Sequence, residues 1–117
     1  MIVEFLDSAT NTSKSQDFEL ITAIESEVIF YNDTSLSICY LPINTDKDQT
    51  TFLFFNPDNS IDTLEVGYDK RVRLISKDCG FEFQFRNIEI NYTTFEEAIS
   101  LGNELSRLNE ENIKIFL

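Results

Sequence analysis

FEFQFRNIEINYTTFEEAISLGNELSRL, residues 81–108, is the stretch on which the reading of the whole chain turns. Phe81, Phe83 and Phe85 alternate with Glu82, Gln84 and Arg86, the two-residue period of a strand with one apolar face. The apolar set then moves from odd to even positions, at Ile88, Ile90 and Tyr92. A one-residue slip turns every later side chain to the other face unless the backbone absorbs it, so Arg86-Asn87 is expected to be a bulge or a tight reversal. Thr94 with Glu97 has the spacing of a capping box, and Thr93 with Glu96 is the alternative register. From Phe95 the apolar spacing turns helical, through Ala98, Ile99, Leu101, Leu105 and Leu108. This predicts a helix over 95–108, with two glutamates in the first turn where the dipole favours them. Gly102, on or beside the apolar stripe, suggests close approach to a sheet, and residues 113–117 read as a final strand.

Upstream, the chain reads as short strands between polar turns. Residues 1–6 (MIVEFL) form a first strand, and 7–16 (DSATNTSKSQ) a polar surface loop. Residues 17–30 suit either a helix or a strand; a strand over 18–24 and another over 27–31 are the preferred reading. Asn32-Asp33-Thr34 reads as a turn, 35–41 (SLSICYL) as an alternating strand ended by Pro42, and 44–50 as a polar loop. Residues 51–55 (TFLFF) are a short buried strand, and Asn56-Pro57-Asp58-Asn59-Ser60 is a strong turn. Alternation resumes over 61–68, Asp69-Lys70 reads as a reversal, and 71–76 leads to a turn at 77–80. Strands at this spacing imply an antiparallel meander, firmest over 51–92. The expected fold is therefore α+β. One curved antiparallel sheet of about seven or more strands carries the C-terminal helix on its apolar face, and the last strand returns to that sheet.

With 117 residues, 42% hydrophobic and 13% aromatic, the chain has enough material for one core and one domain over 1–117. No apolar run approaches the ~20 residues that span a bilayer, and residues 1–8 lack the features of a signal peptide, so a cytoplasmic protein is expected. Cys39 and Cys79 are then expected to be buried thiols and not a disulfide.

Charge is the most informative number. The balance is −12, and it is uneven. Residues 1–69 hold thirteen acids against Lys14 and Lys47. Residues 70–86 hold Lys70, Arg71, Arg73, Lys77 and Arg86 against two acids, a local excess of +3. An acidic surface repels nucleic acid and anionic membranes and attracts basic partners at long range; it also serves solubility alone.

The chemistry that the residues exclude is broad. With no histidine, every Ser-His or Cys-His catalytic arrangement is absent, and there is neither a CxxC nor a glycine-rich phosphate loop. The segments beginning at Asp46 and Asp58 start like calcium loops, but neither has glycine at loop position 6 or glutamate at position 12. Residues 79–86 are similar to the aromatic strand of an RNA-recognition motif, yet depart from it at Cys79, Glu82 and Arg86. No cofactor and no metal is expected.

What remains is recognition by charge. In size, acidity and expected build the chain resembles the immunity proteins that bacteria pair with nuclease-type toxins, and phage proteins that imitate DNA charge. The resemblance implies a non-enzymatic binding protein that neutralises a basic protein partner. The candidate contact residues are Asp17, Glu19, Glu25, Glu27, Asp33, Asp46, Asp48, Asp58 and Asp62, with Tyr31 and Tyr40 as aromatic anchors. The alternatives are a structural or adaptor subunit of a larger assembly and a small carboxylate enzyme.

Overall fold

The computed structural model describes residues 1–26, 28–76, 80–101 and 112–117, with the backbone alone described for 72–76 and 80–84. Among the described residues nine strands form two sheets. They are β1 (Ile2–Leu6), β2 (Gln16–Ala23), β3 (Tyr31–Leu36), β4 (Ile38–Tyr40), β5 (Gln49–Phe55), β6 (Ile61–Ser76), β7 (Gly80–Thr93), β8 (Glu97–Ser100) and β9 (Ile113–Phe116). One sheet has the order β4-β1-β9-β8 and the other β3-β2-β5-β6-β7. Every pairing is antiparallel except β1 with β9, which is parallel.

Alternation explains why the two sheets meet face to face. On β5, Thr50, Phe52 and Phe54 are buried, while Thr51, Leu53 and Phe55 on the other face are half-buried. On β1, Val3 and Phe5 are buried and Ile2 and Glu4 are less so. Phe5 is the point of contact. Its ring lies 5.3 Å from that of Phe18 and edge-on to Phe54 and Phe95 at 6.3 and 6.4 Å. Burying a side chain of this size contributes roughly 1.5–3 kcal/mol, and edge-to-face ring pairs add to it. Ile113 and Ile115 of β9 extend the same core beside β1. The chain changes sheets four times, from β1 to β2, from β3 to β4 through Ser37, from β4 to β5, and from β7 to β8 through residues 94–96.

The expected α+β fold, one sheet bearing a C-terminal helix, is thus corrected: over the described residues the fold is an all-β sandwich. The described residues contain no helix. Of the segment 95–108, residues 97–100 are β8, Phe95 is buried among phenylalanines, and 102–108 lie outside the described residues. The supposed cap hydroxyls are engaged elsewhere. Thr94 Oγ1 accepts from the Thr63 backbone at 2.8 Å and donates to Asp62 Oδ1 at 3.0 Å. Thr93 Oγ1 donates to the Thr63 carbonyl. Both tie the chain to β6 and start no helix. The final strand exists but lies between β1 and β8, away from the meander.

Four local readings also change. The single strand expected over 35–41 is divided at Ser37 between β3 and β4, which lie in different sheets. Asn32-Asp33-Thr34 is not a turn but part of β3, with Asp33 in the left-handed region at φ 46°. Val28 and Ile29 are exposed and form no strand. Asp69-Lys70 is not a reversal, since β6 runs on to Ser76. The meander β5-β6-β7 and the strand over most of 18–24 are as expected. So is the bulge at Arg86-Asn87, where Asn87 sits at φ 55° and the β6–β7 register shifts between Gly67 and Asp69.

Beyond Gly67, β6 loses β5 as a strand partner and, among the described residues, continues paired with β7. The two form a two-stranded ribbon, in a molecule whose extents are 52, 32 and 22 Å.

Candidate functional site

At the root of this ribbon lies a groove of about 430 Å³, lined by Asp48, Gln49, Gly67, Tyr68, Asp69, Asn87, Ile88, Glu89 and Asn91. Two register shifts shape it, one between Glu65 and Val66 and one between Gly67 and Asp69. In each, β7 supplies one more residue than β6, and bulges on one strand bend it and re-aim its side chains. Gly67 leaves room for the Asn91 side chain. A Cβ there would lie 2.8 Å from Asn91 Nδ2, so only glycine lets that amide rest across β6 as it stands.

The floor of the groove is pinned by a closed ring of hydrogen bonds. The Asn44 N–H donates to Thr50 Oγ1 at 2.7 Å, and Thr50 meets the Tyr68 hydroxyl at 2.8 Å. Tyr68 in turn donates to the Asn44 carbonyl. This ring fixes the loop 44–48, and the Tyr68 N–H donates to the Asp48 carbonyl at 2.9 Å, which places Asp48 at the rim. Lys70 reaches back to the Thr45 carbonyl. Burial, helped by the Asp48 charge, pushes the Tyr68 phenol above its ordinary value, against the opposing pull of the Thr50 hydroxyl. On the facing wall, Asn87 Nδ2 donates to Asp69 Oδ2 at 2.7 Å. Asp48, Asp69 and Glu89 are all exposed, and no lysine or arginine lines the groove. It offers three carboxylates and three amides to a hydrogen-bonding cation. Among the described residues no group of three or more His, Cys, Asp or Glu is arranged to hold a metal ion.

Residues 19–117 match a family of unknown function, DUF6452. The chain belongs to that family. Neither a curated protein nor a solved structure matches it. In this DUF6452 member no helix among the described residues is long and apolar enough to cross a membrane.

The candidate residues read from the sequence fall in several places. Asp17, Glu19 and Asp33 come together around a depression of about 410 Å³ with Phe18, Thr34, Ser35 and Pro57. Asp48 belongs to the groove. Glu25, at φ 68°, pairs with Lys47. Asp46 is exposed and lines none of the concavities described here. Asp58 holds Ser60 in the β5–β6 turn, and the hydrogen bonds from Ser60 keep its carboxyl below the usual carboxylate range. Asp62 accepts from Asn56 and Thr94, so it joins strands. Tyr31 accepts the Tyr40 N–H at 2.9 Å through its hydroxyl, which links β3 to β4, whereas Tyr40 is exposed. Glu27 lies outside the described residues. Asp69, Glu89, Asn87, Asn91 and Gly67 were not among the candidates. The parity jump after Phe85 marked their location, since a bulge there gathers its neighbours at one point.

Proposed function

We propose that the protein is a non-catalytic binding module whose acidic groove receives lysine or arginine side chains of a basic protein partner. One observation carries this reading: Asp48, Asp69 and Glu89 converge from three separate segments on one open concavity with no base in its wall. Exposed pairs contribute only about 0.2–1 kcal/mol each, so a partner needs several of them together, and a clustered arrangement supports that. An inhibitor or immunity protein covering the cationic cleft of a nuclease-type toxin fits this chemistry. Catalysis by the same carboxylates is disfavoured because all three are exposed and the groove is open to water.

Calorimetric titration with deca-lysine at low and high salt tests the proposal. Asp48→Asn, Asp69→Asn and Glu89→Gln together are expected to weaken binding about tenfold, the sum of a few exposed pairs. Neutralising Asp17, Glu19 and Asp33 is expected to do less. Equal losses from both sets, or no loss from the first, would leave only a general charge effect.

A further inference from the structure

The structure holds a second electrostatic feature, opposite in sign and outside the groove. We infer that the basic outer edge of the ribbon, residues 71–76 of β6, docks along the acidic edge strand β3 of a second copy of this chain. This goes beyond the reading of the groove and uses different acids.

Two strand edges carry backbone with no strand beside it among the described residues. The five-stranded sheet ends at β3 on one side, so the outer edge of Tyr31–Leu36 has no strand beside it among the described residues. On the other side β5 pairs with β6 only as far as Gly67 and the loop 44–48 lies against Tyr68 and Lys70, so that from Arg71 onward β7 is the one strand beside β6 among the described residues. Each is a row of backbone donors and acceptors of the kind that templates another strand. They are also of equal length, six residues in β3 and six over 71–76.

Charge then selects which edge meets which. Arg71 and Arg73 stand two residues apart on β6, while Lys70 beside them is engaged with the Thr45 carbonyl. Arg71 is exposed and makes no ion pair among the described residues. Beside β3 stand Asp33 on β3 itself and Asp17 and Glu19 on the adjoining β2, all exposed, around a depression lined by no base. Two edges of like charge would repel, whereas β6 against β3 brings bases to acids. Asp33 interrupts the flat run of β3 at φ 46°, which guards against indiscriminate strand addition and leaves selection to the charges. The contact joins two different patches, so it is heterologous, and the assembly closes only if the geometry returns on itself.

Sedimentation velocity of the full chain over a range of concentrations is the test. At low salt, with a Debye length of about 30 Å, the weight-average mass should rise with concentration; at about 3 Å it should fall to that of the monomer. R71E/R73E should raise the dissociation constant at least about tenfold, and D17K/E19K/D33K should do the same. The two sets combined in one chain should restore association. If the reversals impair folding, as judged by the thermal transition, R71Q/R73Q and D17N/E19Q/D33N replace them, and equimolar mixing of the two should recover association. A monomer at every concentration overturns the proposal, as does association indifferent to either set. Arg71- and Arg73-dependent binding of a duplex oligonucleotide by a strictly monomeric protein would assign the ribbon to a polyanion and overturn it too. Loss of deca-lysine binding at the groove leaves this result untouched, so the two readings fail separately.

Discussion

Removing the Thr94 hydroxyl tests the correction on which the fold depends. In the sandwich this oxygen accepts the Thr63 N–H at 2.8 Å and donates to Asp62 Oδ1 at 3.0 Å, across 31 and 32 residues of sequence. As a helix cap it would instead cooperate with Glu97, three residues on. Thr94 is exposed, so Thr94→Ala leaves water to satisfy both partners, and the cost is about 1 kcal/mol, the net value of such a bond. For a chain of this length that lowers the thermal midpoint by about 4 °C. The decisive quantity is the coupling. Double-mutant cycles in urea, followed by circular dichroism, should give about 0.5–1 kcal/mol between Thr94→Ala and Asp62→Ala. Thr94→Ala and Glu97→Ala should add within about 0.3 kcal/mol. Coupling to Glu97 with none to Asp62 would refute the sandwich reading of this segment.

Other consequences follow from the core and the ribbon root. Phe5→Leu and Phe54→Leu, one in each sheet with rings 6.3 Å apart, should show about 0.5–1.5 kcal/mol of coupling in urea denaturation, whereas strict additivity would separate the sheets. Burial pushes the Cys39 thiol up from 9.0 to about 12. The unfolded chain therefore releases that proton first, and this contribution to stability is lost as pH rises from about 9 towards 12. Its slope is about 1.4 kcal/mol per pH unit, and Cys39→Ala should remove that part of the alkaline slope in urea midpoints. Asn87 occupies the left-handed region at φ 55°, so Asn87→Val should cost about 1–2 kcal/mol. Asn87→Gly equally loses the bond to Asp69 but adopts that backbone freely, so it should cost about 1 kcal/mol less than Asn87→Val, and the thermal midpoints of the two variants measure the difference.

Much of the large sheet was legible because its signals are local. The alternation in β5 and β6 needs no partner to be read, and the jump in parity between Phe85 and Ile88 marks a bulge whatever lies across the ladder. The helix misreading came from the same locality. Thr94 and Glu97 have the spacing of a cap, but the hydroxyl is claimed by β6 from 31 residues away. The parallel pairing of β1 with β9 joins the two ends of the sequence, where Asn112 Oδ1 accepts the Ile2 N–H at 2.8 Å, and no neighbouring residue announces it. The acids divide in the same way. Composition marked Asp17, Glu19 and Asp33 but not their union, which comes from the register of β2 with β3. Asp69 passed for a turn residue because the strand continues through an irregularity that resembles an end, and Glu89 lay just past the bulge.

The groove itself is tested most directly by a backbone-amide NMR titration of the ¹⁵N-labelled protein with deca-lysine. Shift changes should concentrate at Asp48, Gly67, Asp69, Asn87, Glu89 and Asn91 and vanish at high salt. Changes spread over all surface carboxylates, or centred on the depression between β2 and β3, would contradict the groove as the binding site.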